Sequence, residues 1–113
     1  MQVQVNTDRN IEGREALAAR VQAVVENVFG RLRDQITRVE IHLSDENGQK
    51  SGQHDKRCMV EVRLEGRQPV AVTDQAATLD EALEGALAKM TRLIASTLGQ
   101  SEPPEARRDR SPA

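Results

Sequence analysis

The stretch ITRVEIHLS, residues 36–44, alternates apolar and polar side chains with a period of two. Val39, Ile41 and Leu43 fall on one face, and polar side chains fall on the other. The stretch KRCMVEVRLE, residues 56–65, repeats this pattern. Such alternation predicts two strands that are covered on one face and solvated on the other. The rest of the predicted fold follows from the need to cover that apolar face.

Two shorter stretches extend the predicted sheet. Residues 2–6, QVQVN, alternate in the same way and predict a first strand. Val70 and Val72 mark a fourth strand, and Pro69 near its start favours an edge position because proline has no backbone N–H to donate. Residues 45–55 hold two glycines and no apolar side chain, which predicts a loop between the two central strands.

Two stretches have the period of an amphipathic helix. The first covers roughly residues 14–33, where apolar side chains recur at spacings of three and four. The second begins with a capping box formed by Thr78 and Glu81. It should end near Leu98, because Gly99 can take the left-handed conformation that ends many helices. The apolar stripe of the first helix is predicted to be Leu17, Val21, Val24, Val28 and Leu32, widened by Val25 and Phe29.

The elements follow one another in the order β-α-β-β-β-α. A right-handed crossover through the first helix places strands one and two parallel, and strands two to four form an antiparallel meander. Because each strand is apolar on one face only, both helices belong on that face. The predicted fold class is α+β, a two-layer sandwich with a four-stranded mixed sheet and two helices on one face. Residues 1–99 form this domain, and residues 100–113, which lack core-forming side chains, are predicted to be a disordered tail.

The composition excludes several classes of function. The chain has 113 residues, no Trp or Tyr, and a net charge of −2. It therefore lacks the aromatic side chains on which single-stranded RNA is stacked, and it does not have the basic composition of a general DNA binder, so no DNA partner is expected. No apolar run has the length of a membrane span and no signal peptide is recognisable, so we expect a cytoplasmic protein with no membrane partner.

No group of residues predicts an enzyme, a metal site or a cofactor. The only cysteine, Cys58, lies on the inward face of its strand, where a buried and inert thiol is expected. The acids of the 45–55 loop lack the spacing of a calcium-binding loop, and two histidines with one cysteine are too few for a zinc site. We therefore expect no catalytic residues, no metal and no cofactor.

The placement of the cations indicates one candidate site. Arg20 and Arg31 are eleven residues apart and lie within about 20° of the same azimuth on the first predicted helix. Lys89 and Arg92 share one flank of the second predicted helix. If the two flanks face each other, they form a basic groove that the net charge conceals. The alternative is that they are two ordinary solvated helix flanks.

At this point the chain resembles the family of the bacterial hibernation-promoting factor and ribosome-associated inhibitor A, over about residues 1–98. The element order is the same, and the segments that carry the resemblance are MQVQV at 1–5, REAL at 14–17, ITRVEI at 36–41, LDEAL at 79–83 and KMTRL at 89–93.

The resemblance implies a ribosome-associated inhibitor of translation that acts under stress and is not an enzyme. Such proteins bind the small ribosomal subunit in the channel for mRNA and tRNA, and basic residues of their two helices contact ribosomal RNA. Carried over to this chain, this implies RNA binding by Lys89 and Arg92, and by Arg20 and Arg31. It also implies a short form, expected to be a monomer off the ribosome.

A second function remains open. Family members continue the last helix with several lysines, whereas this chain has Ser96, Thr97 and Gln100 there, followed by a tail that contains acids. The low net basicity and the missing lysines favour a protein-interaction module on the same fold, with little affinity for RNA.

Overall fold

The structure, a computed structural model, describes residues 1–9, 11–46 and 55–99. Most of the predicted 45–55 loop and all of the predicted tail lie outside these residues. The strands are β1 (Gln2–Thr7), β2 (Ile36–Asp45), β3 (Lys56–Leu64) and β4 (Val70–Ala76). The helices are α1 (Arg14–Phe29), which a short 3₁₀ helix (Gly30–Leu32) follows, and α2 (Leu79–Gly99).

The sheet has the predicted topology. Its strand order is β1-β2-β3-β4, with β1 parallel to β2 and the other two neighbouring pairs antiparallel. The pairing of β2 with β3 contains a bulge between Ile36 and Arg38. With α2 packed on β3 and β4 and α1 packed on β1, the prediction of an α+β two-layer sandwich is confirmed.

The core lies between the sheet and the two helices, as the one-sided alternation requires. Val39 and Ile41 of β2 and Val60 and Val62 of β3 are fully buried, and Leu83 of α2 is 5% exposed. Burial of these side chains on a single sheet face shows that the predicted strand register is correct. The large side chains that are fully buried include Phe29, Ile36, Ile41, Met90 and Ile94.

The first helix is shorter than predicted, and its buried stripe is shifted. Its buried residues are spaced by four, at Leu17, Val21, Val25 and Phe29, whereas Val28 is 41% exposed. The stripe was therefore predicted with the wrong centre. The helix ends at Phe29 because the chain tightens into the 3₁₀ turn that begins at Gly30.

The second helix begins and ends close to the predicted residues, but its predicted C-terminal cap is not formed. The Thr78 hydroxyl accepts a hydrogen bond from the Glu81 N–H at 3.1 Å and donates one to the Glu81 carboxylate at 3.1 Å. This side-chain cap satisfies a backbone donor that the helix itself leaves without a partner. Gly99 belongs to the helix and does not have a positive φ, so the predicted left-handed cap is wrong.

Replacing Leu83 tests the packing of α2 on the sheet. Leu83→Ala should lower the free energy of unfolding by about 2–5 kcal/mol, because it removes buried methyl groups and leaves a cavity. Val28→Ala is the control, since this exposed position on α1 should change stability by only about 0.5 kcal/mol. Denaturant unfolding measures both values. Equal effects of the two substitutions would contradict the assignment of the buried face.

Candidate nucleic-acid interface

Lys89 lies on the flank of α2 that faces the sheet edge. Its Nζ donates hydrogen bonds to the Thr73 carbonyl at 2.9 Å and to the Asp74 carboxylate at 3.0 Å, and both partners belong to β4. The ion pair is partly open to solvent, since the side chains of Lys89 and Asp74 are 45% and 26% exposed. Lys89, which is predicted to bind RNA, therefore also links the helix to the sheet.

A glycine on α2 makes room for the partner of Lys89. Asp74 alternates with Val70 and Val72, which pack against the core, so its carboxylate points under the helix. A Cβ at Gly85 would fall on that carboxylate. A charge that points inward on an edge strand also discourages pairing with a further strand. Gly85, Asp74 and Lys89 therefore form one structural unit at the β4 edge.

Arg20 lies beside the start of α2. Its guanidinium bonds the Asp80 carboxylate at 2.9 Å, and the two side chains are 59% and 68% exposed. Asp80 and Lys89 are nine residues apart, which places them on opposite sides of a helix with 3.6 residues per turn. The flank of α2 that faces α1 is therefore the acidic one, and Lys89 faces β4.

The prediction that the two basic flanks face each other across a groove is therefore wrong. The flank with Lys89 does not face Arg20, and Arg31 belongs to the 3₁₀ helix after α1. The azimuth predicted for Arg31 relative to Arg20 assumed one uninterrupted helix, and Arg31 lies beyond the end of that helix. Arg92 is exposed, and no ion pair joins it to another residue in the described part of the chain.

The space between the helix ends is largely apolar. An open cavity of about 450 Å³ lies between the end of α1 with its 3₁₀ turn and the last turns of α2. Its lining residues are Val28, Phe29, Arg31, Leu32, Thr91, Ile94, Ala95 and Leu98. Arg31 is the charged residue among them. We call this cavity the interhelix groove.

A second cavity, polar in character, adjoins Lys89. It has a volume of about 560 Å³ and is lined by Glu46, Arg57, Thr73, Asp74, Gln75 and Lys89. The Gln75 side-chain amide donates to the Glu46 carboxylate at 2.8 Å. Because the lining residues include both acids and cations, the wall of this cavity carries charges of both signs. This mixture of charges does not favour the binding of an anion over the binding of a cation.

The structure also brings together arginines that the sequence places far apart. Arg38 and Arg63 are directly opposite each other in the pairing of β2 with β3. Arg33 lies in the turn before β2, and Arg67 lies in the turn after β3. Sequence reasoning did not bring these arginines together, because the pairing of Arg38 with Arg63 depends on the strand register. Together with Arg31 they form what we call the arginine end of the domain.

No catalytic or metal chemistry is indicated within the described ranges. Cys58 is fully buried, and burial, with a smaller contribution from Asp74, raises the pKa of its thiol to about 12. The expected burial of Cys58 is therefore confirmed, and a raised pKa disfavours the thiolate, which is the reactive form. Residues 1–9, 11–46 and 55–99 contain no group of three or more His, Cys, Asp or Glu that could hold a metal ion. None of the described helices combines the length and apolarity that crossing a membrane requires.

Comparisons with known proteins identify relatives of this fold. The sequence model of the family described as sigma 54 modulation protein / S30EA ribosomal protein matches residues 4–99. The N-terminal domain of Protein Y from Thermus thermophilus is similar with a TM-score of 0.64 and 21% identity, over 83% of this chain and 96% of that one. A ribosomal subunit interface protein from Coxiella burnetii is similar with a TM-score of 0.66 and 15% identity, over 88% and 99%. The comparison with curated protein sequences gives no significant match.

Replacing Gly85 tests the unit that holds Lys89. Gly85→Ala should destabilise the protein by about 1–3 kcal/mol, because the added Cβ displaces the Asp74 carboxylate. Gly30→Ala is the matched control: its backbone is right-handed helical, and a Cβ there meets no atom within 4 Å. This control should gain about 0.4–1 kcal/mol. Thermal and denaturant unfolding compare the two variants. If Gly85→Ala leaves the free energy of unfolding unchanged, the close approach of α2 to the Asp74 carboxylate does not require glycine at position 85.

Proposed function

The chain belongs to the sigma 54 modulation protein / S30EA ribosomal protein family, and from this premise we propose that it binds the small ribosomal subunit in the channel for mRNA and tRNA and inhibits translation. The family consists of ribosome-associated factors that are not enzymes. The observation that carries the proposal is the match over residues 4–99, which includes both helices and all but the first two residues of the sheet. One of the two structural relatives, the Coxiella burnetii protein, is named a ribosomal subunit interface protein, which supports the same partner.

We propose that the RNA contacts are made by Lys89, Arg92, Arg20 and Arg31. All four side chains are exposed, so a phosphate can approach each of them. The ion pairs of Lys89 and Arg20 oppose this role only weakly, because exposed pairs contribute about 0–1 kcal/mol. Since the four residues do not share a groove, they would contact RNA from different places: Lys89 and Arg92 from the flank of α2, Arg20 from α1, and Arg31 from the 3₁₀ turn that follows α1.

The composition sets the mode of binding in this proposal. A protein without Trp or Tyr cannot stack unpaired bases on a platform of such side chains, so the contacts would be to phosphates and to the shape of the channel. The protein would act in the cytoplasm, where ribosomes are, as a response to stress. It would use no cofactor and be a monomer off the ribosome.

A protein-interaction module on the same fold is the second candidate function. The interhelix groove favours it, because its walls are mainly apolar and Val28 on its rim is 41% exposed. An apolar groove of this kind suits a partner side chain better than it suits a phosphate. In this case the protein would bind a partner protein and have little affinity for RNA.

Co-sedimentation with ribosomes tests the first function. The Lys89→Gln, Arg92→Glu double variant should lose binding to purified small subunits, because it removes the proposed phosphate contacts from the flank of α2. Gln is chosen at 89 because Glu there would be placed against Asp74. The control variant Arg9→Glu, Arg14→Gln removes the same amount of charge from the opposite end of the domain and should bind normally.

Three results decide between the candidates. Binding of the wild type that weakens as salt rises supports ribosome association through phosphates. Normal binding by a folded Lys89→Gln, Arg92→Glu variant would remove these two residues from the interface. Failure of the wild type to sediment with either subunit would favour the protein-interaction module.

A further inference from the structure

Charge is distributed unevenly between the two ends of the domain. At one end β2 and β4 begin, β3 finishes and both helices finish. The arginine end lies here, and the acids in the same turns are Asp34 and Glu65. The opposite end, where both helices begin, is mainly acidic. Its acids are Asp8, Glu12, Glu15, Asp45, Glu46, Asp55, Asp80 and Glu81, and its cations are Arg9, Arg14, Lys56 and Arg57.

Backbone hydrogen bonds hold the two segments of the arginine end together. The Glu65 N–H donates to the Gln35 carbonyl at 2.8 Å, which joins the turn before β2 to the turn after β3. The Thr37 hydroxyl donates to the Arg63 carbonyl at 3.1 Å, beside the bulge in β2. The turn itself closes through Gly66, whose φ of 74° is one that residues with a Cβ rarely adopt. The arginines therefore lie on two segments that hydrogen bonds join to each other.

Two of these arginines are placed unfavourably in the free protein. Arg38 and Arg63 are cross-strand neighbours, and like charges in that position destabilise a sheet. Arg38 is partly compensated, since it contacts the Glu40 carboxylate at 3.2 Å and donates to the Gln4 side-chain oxygen at 2.7 Å. Arg63, Arg33 and Arg67 form no ion pair with any residue in the described ranges. A bound anion would relieve the repulsion of the opposed pair.

We propose that the arginine end is a separate contact surface for the phosphate backbone of double-helical RNA. Each guanidinium can bind a phosphate through two parallel hydrogen bonds, which suits a surface whose cations are all arginine. The exposed residues around Arg33, Arg63 and Arg67 include Gln35, Thr37 and Gln68, which are polar, whereas the centre of a protein interface is mainly apolar. Because the ends of the domain differ in charge, the field of a polyanion orients the protein with this end towards it.

This surface adds to the proposed ribosome function and does not depend on it. The helix-flank residues Lys89 and Arg92 lie on α2, whereas Arg63 lies on β3 and Arg33 and Arg67 lie in the turns before β2 and after β3. A protein that contacts RNA through both regions would be held at two separated points. Three arginines, at 33, 63 and 67, are therefore the ones to replace, since Arg31 also belongs to the proposed helix-flank contacts and Arg38 has partners on β1 and β2.

Binding to a fluorescently labelled RNA hairpin with a duplex stem tests the proposal. The triple variant Arg33→Gln, Arg63→Gln, Arg67→Gln is compared with Arg9→Gln, Arg14→Gln, Arg57→Gln, which removes the same charge elsewhere. All six arginines are exposed, so both variants should fold, and thermal unfolding checks that they do. Anisotropy is measured over a range of salt concentrations. The arginine-end variant should flatten the slope of log affinity against log salt by about 2–3, and the control should leave the slope unchanged.

The same measurements can overturn the proposal. Equal losses in the two triple variants would show that only net charge matters. Binding of an acidic peptide at the arginine end, without binding of the hairpin, would assign this surface to a protein partner. Loss of hairpin binding in the arginine-end variant alone supports the proposal even if the wild type fails to sediment with ribosomes, so this test is separate from that of the proposed function.

Discussion

The structure depends on covering one face of a four-stranded sheet whose strands are apolar on that face only. Val39, Ile41, Val60 and Val62 are fully buried, and two helices are the elements that bury them. This requirement sends both helices to the same layer and leaves the other sheet face open. Every helix cation must then lie on the outer surface or on a flank of that layer.

One flank shows how a binding surface and the stability of the fold share residues. Lys89 is exposed enough to contact a phosphate, but it also neutralises Asp74, whose carboxylate fits under α2 because position 85 is glycine. Because the ion pair is partly exposed to solvent, it contributes little to stability. The inward-pointing carboxylate discourages a further strand from pairing with the edge of the sheet. A phosphate at Lys89 would compete with Asp74, so binding there and order at the β4 edge are coupled.

The net charge of −2 hides an arrangement that suits a partner rich in phosphate. Apart from Arg31, which belongs to both groups, the arginine end and the helix cations lie on different elements, and about half of the acids in the described part of the chain lie where the helices begin. An RNA-walled site responds to this local arrangement, because electrostatic attraction is set by the nearest charges and is screened beyond about 10 Å. The placement of the charges is therefore compatible with the proposed RNA partner, although composition alone argues against RNA.

The sequence by itself determined the element order, the strands and their inward faces, because a period of two or of 3.6 is a local property of the chain. It also determined the capping box at Thr78 and the burial of Cys58. It did not reveal the burial of Ile11, which lies in the mainly polar segment between β1 and α1.

Only the tertiary structure decided which charges meet. Arg20 bonds Asp80 sixty residues away, Lys89 bonds Asp74 on another element, and Arg38 faces Arg63 through a register that contains a bulge. The end of α1 at Phe29 likewise places Arg31 outside the helix that carries Arg20. Helical angles place a side chain on its own helix, but the side on which the next element packs is set by the whole core. For that reason the sequence shows which cations each helix carries, but the basic groove predicted between the two flanks is not formed.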